Sequence, residues 1–322
     1  MDLIYTNTDR EDVGVLFDYS FDLAFGSGEN DFECTIATKA HCCQAGCFLY
    51  IEGTEYGGII DSIQSKSAAQ EVIYSGRSWH GILNSRVIEP DSGQDYFICS
   101  GEANAVIGSL ITRLGLGDLF SASSENSKLT ISNYQMDRYI SGYDGIKKML
   151  KKVGGKLIFK VTNEGSVVLS AVPIIDYTQV EEFNSDLVDF EIKKSTNTVN
   201  HLICLGQGEL AARTVIHLYA DKDGNISKTQ SQTGLDEYTA VYDYSNVESS
   251  EELEKSGIEH LQSLWALNDI SIDFDADSDT YDIGDKVGAT DNVTGLSASG
   301  IITKKIVTIK NGRISINYEV GE

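Results

Sequence analysis

The chain has few prolines, few basic residues and no long apolar run. Only two of its 322 residues are proline, so it contains no proline-rich linker or low-complexity spacer. Lysine and arginine total 25 against 49 acidic residues, which gives a formal net charge of -24. Because binding to phosphates needs clustered cations, this charge disfavours DNA binding by a basic face. No uninterrupted apolar run approaches the roughly 20 residues of a membrane-spanning helix.

Signals for secretion and for common enzyme families are also missing. Residues 1–7 contain neither a basic nor an apolar region, so no secretory signal is visible, and the six cysteines are predicted to be reduced thiols. The sequence contains no His-Glu-x-x-His, no Gly-x-Ser-x-Gly and no phosphate-binding loop. His201 and His217 have no motif neighbours and are predicted to be packed or edge residues of strands. The sequence therefore predicts no catalytic residue and no cofactor.

The acidic residues concentrate in three stretches, at 176–191, 236–259 and 269–285. Runs of charge are typical of solvated surface, and they are interpreted here as a surface that favours solubility.

Strand signals dominate the first part of the chain. The 30 glycines are scattered at turn positions, as many short strands require. Phe32, Cys34 and Ile36 alternate with Glu33 and Thr35, which is the period of two of a half-buried strand.

Two segments near opposite ends of the chain repeat the same order of features. Residues 48–63 contain a strand, a tight glycine turn and a second strand that includes Gly-Ile-Ile at 58–60. Residues 281–306 follow the same order, with Gly-Ile-Ile at 300–302, and a third strand follows each segment. The repetition predicts two related small β-barrels, and therefore a mainly β fold of the α+β class.

Helical periodicity marks two insertions into this β framework. Apolar stripes predict helices at about 101–114 and at 143–153, the second capped by Gly154 and Gly155, and a hairpin follows at 156–172. The clearest helix covers 249–267, where Ser249 and Glu252 form a capping box. Its predicted buried residues are Leu253, Leu261, Leu264 and Trp265.

These patterns predict an organisation in four parts. The first β-barrel domain covers 1–98 and an α/β insertion covers 99–178. The second β-barrel domain covers 179–245 and 274–322, interrupted by a helical insertion at 246–273.

Four cysteines crowd into one stretch, which raises the question of a zinc site. They are Cys34, Cys42, Cys43 and Cys47, with His41 among them. A zinc ribbon needs two separated Cys-x-x-Cys pairs, whereas Cys42 and Cys43 are adjacent and point to opposite faces of an extended chain. The pattern favours buried free thiols over a metal site.

Two other charged patterns have alternative interpretations. Asp273, Asp275, Asp277 and Asp279 alternate like a calcium loop, but counting from Asp275 the sixth and twelfth positions hold neither Gly nor Glu. Alternating acids also protect a strand edge, which is the favoured interpretation. The only dense basic patch contains Lys147, Lys148, Lys151 and Lys152. These lysines complement the dipole at the end of a helix, and a phosphate contact is the alternative.

Four short motifs together resemble the tail hub proteins of phages and contractile injection particles. They are Tyr56-Gly-Gly-Ile-Ile-Asp61, Gly76-Arg-Ser-Trp-His-Gly-Ile-Leu83 followed by Arg86-Val-Ile88, Val199-Asn-His-Leu-Ile-Cys-Leu-Gly206, and Tyr281-Asp-Ile-Gly-Asp285 with Gly300-Ile-Ile-Thr303. Each motif is short, and their order and spacing span almost the whole chain.

The resemblance implies a homotrimer that adapts a six-fold tail tube to a three-fold spike or fibre. The implied partners are the tail tube or distal tail protein above and the spike or fibre protein below, in a particle assembled from protein made in the bacterial cytoplasm. Hydrolytic hubs carry an added enzyme domain, and since the sequence stops at Glu322, none is expected. If the acids line the ring lumen, DNA would pass without specific binding.

Two other functions remain open at this stage. One is a cell-wall hydrolase or endopeptidase with carboxylates in the α/β insertion. The other is a carbohydrate-binding adhesin that exposes Tyr134, Tyr139 and Tyr143, although a partly buried tyrosine cluster is commoner.

Overall fold

The computed structural model describes residues 2–162, 165–179, 183–184, 190–192, 199–247, 249–266, 272–276, 281–295, 297–310 and 312–321. The chain divides into two compact units. One unit contains Met1–Glu191 and Ile272–Gly321, and the other contains Ile192–Ser271. The four-part organisation expected from the sequence stays a prediction.

The first unit begins with strands and continues through a segment that contains three helices. Its strands up to the middle of the chain are β1 (Leu3–Thr6), β2 (Asp12–Leu16), β3 (Ser20–Gly26), β4 (Asp31–Ala37), β5 (Phe48–Tyr50), β6 (Gly57–Ile59), β7 (Ser62–Lys66), β8 (Glu71–Arg77), β9 (Val87–Ile88), β10 (Ile98–Glu102), β11 (Phe120–Ala122), β12 (Thr130–Gln135), β13 (Ile140–Ser141), β14 (Gly155–Val161), β15 (Val167–Pro173), β16 (Phe183–Asn184) and β17 (Phe190–Ile192). Its helices are α1 (Trp79–Asn84), α2 (Ala103–Arg113) and α3 (Gly142–Lys152).

The described part of the second unit contributes four strands and one α-helix, and the chain then returns to the first unit. The strands of the second unit are β18 (His201–Leu205), β19 (Val215–Ala220), β20 (Ile226–Ser227) and β21 (Thr239–Asp243), followed by α4 (Ser250–Ala266). The chain ends with β22 (Ile272–Ala276), β23 (Lys286–Thr290), β24 (Ser297–Lys310) and β25 (Arg313–Gly321). The prediction of a mainly β fold is confirmed.

The largest sheet joins strands from both ends of the sequence. Its main order is β17-β22-β25-β24-β3-β4-β8-β7, and β23 pairs with β24 and β16. The central strand β24 changes neighbour along its length. Its first part pairs with β23, and from Lys304 onward it pairs with β3, with an irregularity between Ile302 and Lys304 on the β25 side. The strand change joins the C-terminal strands to β3, and through β3 to β4, in one hydrogen-bonded sheet.

The two repeated segments have different places in the sheets. β5 and β6 belong to a separate four-stranded sheet of order β2-β1-β5-β6, whereas β8 belongs to the large sheet. The corresponding C-terminal strands β23, β24 and β25 all lie in the large sheet. The repeated order in the sequence therefore does not correspond to one repeated sheet, and the two-barrel arrangement stays a prediction.

The α/β insertion predicted from the sequence has the expected elements. Helices α2 and α3 pack on β14 and β15, which form an antiparallel hairpin, and β11 joins parallel to β15. Gly154 has a φ of 72° and its N–H bonds to Lys151, which confirms the predicted C-cap of α3. The turn of the hairpin at Asn163 and Glu164 lies outside the described residues.

The second unit is a four-stranded sheet of order β20-β19-β18-β21 covered by α4. The Oγ atom of Ser249 accepts from the N–H of Glu252, which confirms half of the predicted capping box. Leu253 and Leu261 are buried in the core of this unit, and Leu264 packs against it. The side chain of Trp265 lies outside the described residues. No described helix is long and apolar enough to cross a membrane.

Candidate functional site

A largely buried ion pair connects the last part of the chain to the first. The Nζ atom of Lys305, on β24, lies 2.7 Å from Oε1 of Glu55, in the turn between β5 and β6. Lys305 is 0% exposed. Lys305 therefore occupies an inward-facing position of β24, where a half-buried strand ordinarily carries an apolar side chain. A charge in that position requires a buried partner, since an isolated buried ammonium is very costly.

Aromatic rings surround the Lys305 ammonium. The rings of Phe25, Tyr56 and Tyr318 have centroids 5.9, 5.8 and 5.7 Å from its Nζ atom. These distances lie within the range of cation–π attraction, which strengthens when the cation is removed from water. The ammonium is thus held by one carboxylate and three ring faces.

His80 is the second neighbour of the Glu55 carboxylate. Its Nε2 atom lies 3.5 Å from Oε2 of Glu55, and its ring stacks on Phe25 with centroids 4.1 Å apart. Burial lowers the pKa of His80 and so favours the neutral ring. With Nε2 carrying the proton toward Glu55, Nδ1 is the acceptor, and it has no hydrogen-bond partner among the described residues.

The pKa of Glu55 reports the strength of these contacts. Burial by itself raises the pKa of this carboxyl, but the charge of Lys305 and the contacts with His80 outweigh burial. The resulting pKa is about 2, against an ordinary value of 4.5. Glu55 is therefore ionised at any physiological pH, and it does not serve as a proton donor.

A second buried cluster joins the α/β hairpin to the loop before β23. The Nζ atom of Lys156, on β14, lies 2.7 Å from Oδ2 of Asp282 and 2.6 Å from Oδ2 of Asp285. Asp285 is 0% exposed, and its Oδ1 accepts from the backbone N–H of Ile175. Burial raises the pKa of the partly exposed Asp282, against the lowering effect of Lys156. Asp285 thus contacts both the hairpin and the segment that follows it.

The local sequence at 281–285 explains how two carboxylates converge on one lysine. Gly284 adopts a φ of 101°, and its N–H bonds to the carbonyl of Ile302. The carbonyl of Asp285 in turn accepts from the N–H of Ile302. Since non-glycine residues rarely adopt this φ, the glycine lets the loop turn sharply and return to β24 with both carboxylates on the same side.

The two N-terminal motifs form a close backbone packing beside these clusters. A Cβ atom on Gly58 would lie 2.1 Å from the carbonyl oxygen of Arg77, and one on Gly81 would lie 2.1 Å from that of Asn30. Arg77 makes a two-pronged contact with Asp61, with both N–O distances 2.8 Å. The glycines therefore permit strand contacts that any side chain would block.

The second unit contains a chain of hydrogen bonds through two histidines. Nδ1 of His201 lies 2.7 Å from Oε1 of Glu237, and Nε2 of His201 lies 2.8 Å from Nδ1 of His217. Thr239 contacts the same Nδ1 atom at 3.1 Å. His201 and His217 are diagonal neighbours on β18 and β19, where His201 lies opposite Tyr219 and His217 opposite Ile203. The sequence predicted packed or edge residues, and only the strand register reveals their contact.

The cysteine stretch forms a loop around one tyrosine. The hydroxyl of Tyr74 accepts from the N–H groups of Cys42 and Cys43 and lies 2.8 Å from Nδ1 of His41. Cys42 is exposed, whereas Cys34, Cys43 and Cys47 are buried.

Burial raises the pKa of the Cys34 thiol to about 12 and also raises that of Cys43. Protonated thiols are poor metal ligands. Among the residues that the structure describes, no group of three or more His, Cys, Asp or Glu side chains is placed to hold a metal ion.

The other predicted candidates are dispersed. Asp273 and Asp275 lie on β22, a regular strand paired with β25, whereas Asp277 and Asp279 lie outside the described residues. Tyr139 is 58% exposed, but Tyr143 is only 2% exposed and belongs to the core. The tyrosines of the adhesin hypothesis therefore do not form one exposed aromatic face, because α3 turns Tyr143 inward.

The lysine patch lies on α3 as the favoured dipole interpretation requires, and a phosphate contact stays a prediction. Lys151 and Lys152 lie in the last turn of α3, where they complement the helix dipole. Lys147 and Lys148 are paired with Asp144 and Asp137, at 3.1 and 2.7 Å.

The chain can be compared with known proteins on this basis. No protein-family model matches the chain, and no curated protein matches it. Solved structures do match. A prophage MuSo2 43 kDa tail protein from Shewanella oneidensis has a TM-score of 0.57 at 12% identity, with 99% of this chain and 98% of that chain covered. The chain has the fold of a phage tail protein.

Two further tail structures share this fold. The tail protein from Neisseria meningitidis MC58 has a TM-score of 0.51 at 14% identity, with 100% of this chain and 96% of that chain covered. A chain of the phage P2 baseplate in its activated conformation with Ca has a TM-score of 0.50 at 11% identity, with 99% and 98% covered. The resemblance to tail proteins, drawn from four short motifs, is confirmed at the level of the tail-protein fold.

Proposed function

We propose that this chain is a structural tail hub protein of a phage, a prophage or a contractile injection particle. Three copies form a ring that adapts the six-fold tail tube to a three-fold spike or fibre. The observation that carries the proposal is the tail-protein fold, which matches a prophage tail protein over 99% of this chain and 98% of that one. Coverage of both chains at nearly full length favours a shared mechanical role over one shared module.

The proposed partners are other proteins of the same particle. A tail tube or distal tail protein contacts one side of the ring, and a spike or fibre protein contacts the other. Two of the similar chains are a prophage tail protein and a component of the P2 baseplate, which supports assembly with tail proteins. The proposed location of the chain is therefore the tail of the particle.

A non-enzymatic role agrees with the chemistry of the buried charges. Lys305, Glu55, Lys156 and Asp285 neutralise one another inside the protein, where they join distant strands. Glu102, in the α/β part, caps α2 and accepts from Ser127, and its pKa is about 2 because these hydrogen bonds outweigh burial. Such a carboxylate holds a helix end rather than donating a proton.

The net charge of -24 has a role in this proposal if the particle ejects DNA. Acidic residues that line the ring lumen repel phosphates, so DNA passes through without specific binding. A map that placed the acids on the outer wall and a basic surface on the lumen would contradict this part.

A deletion experiment tests the proposed function directly. The gene is deleted in a strain that produces the particle, and a plasmid copy restores it as the control. We expect particles without complete tails after deletion, and normal tails that contain the protein after restoration. Normal tails from the deletion strain, together with absence of the protein from purified particles, would refute the proposal. A zymogram on cell walls tests the hydrolase alternative, because clearing by the purified chain would favour an enzyme.

A further inference from the structure

A groove with an apolar floor lies where β24 changes its neighbour from β23 to β3. Its floor is formed by Leu157, Ile174, Ile283 and Ile302. Ile302 is 0% exposed and the side chains of Ile174 and Ile283 are half-buried. The groove exists because β3 ends at Gly26 beside Thr303, whose carbonyl accepts from the N–H of Ser27. Beyond this point the first part of β24 faces α3 instead of β3.

The rim of the groove carries the lysines of α3. Lys147 is fixed by Asp144 and by the ring of Tyr143, whose centroid lies 4.0 Å from Nζ. Lys148 is 59% exposed at its side chain, and Lys151 has no carboxylate partner among the described residues. Because Lys147 and Lys148 are already paired with Asp144 and Asp137, the ammonium that is available on this rim is that of Lys151. An apolar floor beside this ammonium suits a ligand that combines an apolar group with a carboxylate.

The size of the groove indicates what it can hold. Its volume is about 250 Å³, below the roughly 300–1,000 Å³ of pockets that enclose whole small molecules. One large apolar side chain on a protein surface is a better match than a cofactor. A chain with 49 acidic and 25 basic residues also offers many carboxylates to a basic rim.

The chain itself has a surface element of this chemistry. In the turn between β2 and β3, the side chain of Phe17 is 77% exposed. Asp18 follows it, is exposed, and holds the turn at a φ of 54°. The ring and the adjacent carboxylate match the apolar floor and the Lys151 ammonium of the groove in chemistry.

We infer that the Phe17–Asp18 turn of one copy inserts into the α3–β24 groove of a second copy. Phe17 contacts the apolar floor and Asp18 pairs with Lys151 on the rim. The inserting turn and the groove are different surfaces of the same chain, so the contact is heterologous and can repeat around a closed ring. This inference rests on the proposed function, because it names the surfaces through which copies of the hub meet.

Two variants each remove one half of the contact. Phe17→Ser removes the inserting ring, and Lys151→Glu reverses the charge on the rim that pairs with Asp18. Matched controls are Leu235→Ser, which removes an apolar residue that is fully exposed elsewhere, and Lys152→Glu, which reverses a charge on the same helix outside the groove. Circular dichroism and thermal unfolding establish that every variant folds.

Light scattering of each purified chain at about 100 µM, and of mixtures, gives the result. We expect the wild type and both controls to form oligomers, and the dissociation constant to rise at least about tenfold in either contact variant. Mixing the two contact variants should produce a one-to-one heterodimer, because one intact turn and one intact groove remain in the mixture. No other contact predicts this pairing of two variants that do not self-associate.

Other results would overturn the inference. A wild-type chain that stays monomeric at this concentration excludes the contact, as does a contact variant that oligomerises like the controls. A mixture of contact variants that stays monomeric excludes the pairing of turn and groove. None of these results bears on the deletion experiment, so a tail protein whose copies join through other surfaces remains distinguishable from a protein that is not part of the tail.

Discussion

Lys305 and Glu55 lie 250 residues apart in the sequence, and their side chains meet at 2.7 Å inside the protein. Glu55 sits in the turn between β5 and β6, and Lys305 sits on the strand that joins the C-terminal part of the large sheet to β3. The pair therefore joins two different sheets of the first unit, the four-stranded sheet that contains β5 and β6 and the large sheet that contains β24. A fold that depends on such a pair is sensitive to the loss of either charge.

Replacing Glu55 by Gln should destabilise the protein strongly. The substitution leaves the Lys305 ammonium buried without a counter-charge, and removal of one partner of a buried pair costs about 3–5 kcal/mol. The free energy of unfolding from urea denaturation measures the loss. The double variant Glu55→Gln/Lys305→Met should recover more than half of it, because no uncompensated charge remains. A double variant as unstable as Glu55→Gln would show that the pair is not the cause.

The contribution of Glu55 should disappear in acid. Its pKa is about 2 in the folded protein, below the ordinary 4.5, so the folded state binds the proton more weakly than the unfolded state. The stabilisation is complete above pH 4.5 and is lost as the pH falls towards 2. Unfolding free energies of the wild type and of Glu55→Gln should therefore converge across this window. Glu29, whose exposed carboxylate pairs with Lys304, supplies a control, since Lys304 keeps Glu319 as a partner and Glu29→Gln should show no comparable convergence.

Gly26 should tolerate alanine much less well than Gly28. Both have a positive φ, at 122° and 83°, so both substitutions carry backbone strain. A Cβ on Gly26 would also lie 2.2 Å from the carbonyl oxygen of Thr303, whereas a Cβ on Gly28 meets nothing within 4 Å. We expect Gly26→Ala to lose at least about 2 kcal/mol more than Gly28→Ala, from overpacking against the backbone. If both variants lost the same stability in thermal unfolding, the end of β3 could move away from β24 without destabilising the protein.

Asp285→Asn should loosen the attachment of the α/β hairpin. The substitution removes one of the two carboxylates at Lys156 and weakens the acceptor of the Ile175 N–H. Hydrogen exchange should accelerate at Ile175 and at Lys286, whose N–H bonds to the carbonyl of Ile175. Asp282→Asn is the matched comparison, because Asp282 is partly exposed and its loss should accelerate exchange less. Uniform acceleration across the first unit would instead indicate global destabilisation.

The histidine pair of the second unit should adopt one defined tautomeric state at pH 8. If Glu237 accepts the proton of Nδ1 on His201, then Nε2 of His201 accepts from Nδ1 of His217. Both neutral rings should therefore carry their proton on Nδ1, which nitrogen NMR shifts report directly. Glu237→Gln should change this pattern, whereas a variant at the exposed Glu251 should not. A proton on Nε2 of His217 in the wild type would contradict the assignment.

The regular elements could be predicted in large part because their signals are local. The stripe that predicted α2, the glycines that end α3 and the alternation of Phe32, Cys34 and Ile36 each depend on neighbours within a few residues. Strand β3 was missed, although Phe21, Leu23 and Phe25 alternate in the same way and are all buried. Helix α1 was missed because its six residues are too few to show a helical period.

The buried site could not be predicted from the sequence in the same way. Lys305 and Lys156 each lie in a strand, where a lysine is ordinarily predicted to be exposed. They are buried because the fold places the carboxylates of Glu55 and Asp285 beside them. Tyr281-Asp-Ile-Gly-Asp285 is recognisable as a motif in the sequence. Its partner Lys156, however, is more than a hundred residues away, so the contact is not visible there. The contact of His201 with His217 likewise depends on strand register.

The sequence by itself determined the mainly β character, the helices α2, α3 and α4, the caps of α3 and α4, the negative net charge and the motifs that resemble tail hubs. These properties follow from local periodicity, turn chemistry and composition. Only the tertiary structure decided that β24 passes from β23 to β3, that the repeated segments fall in different sheets, and that Lys305 and Glu55 form a buried pair. The pairing of distant strands depends on many weak interactions that must be satisfied together. A charged side chain is stable in the interior only when its partner is also in place, because an unpaired buried charge is very costly.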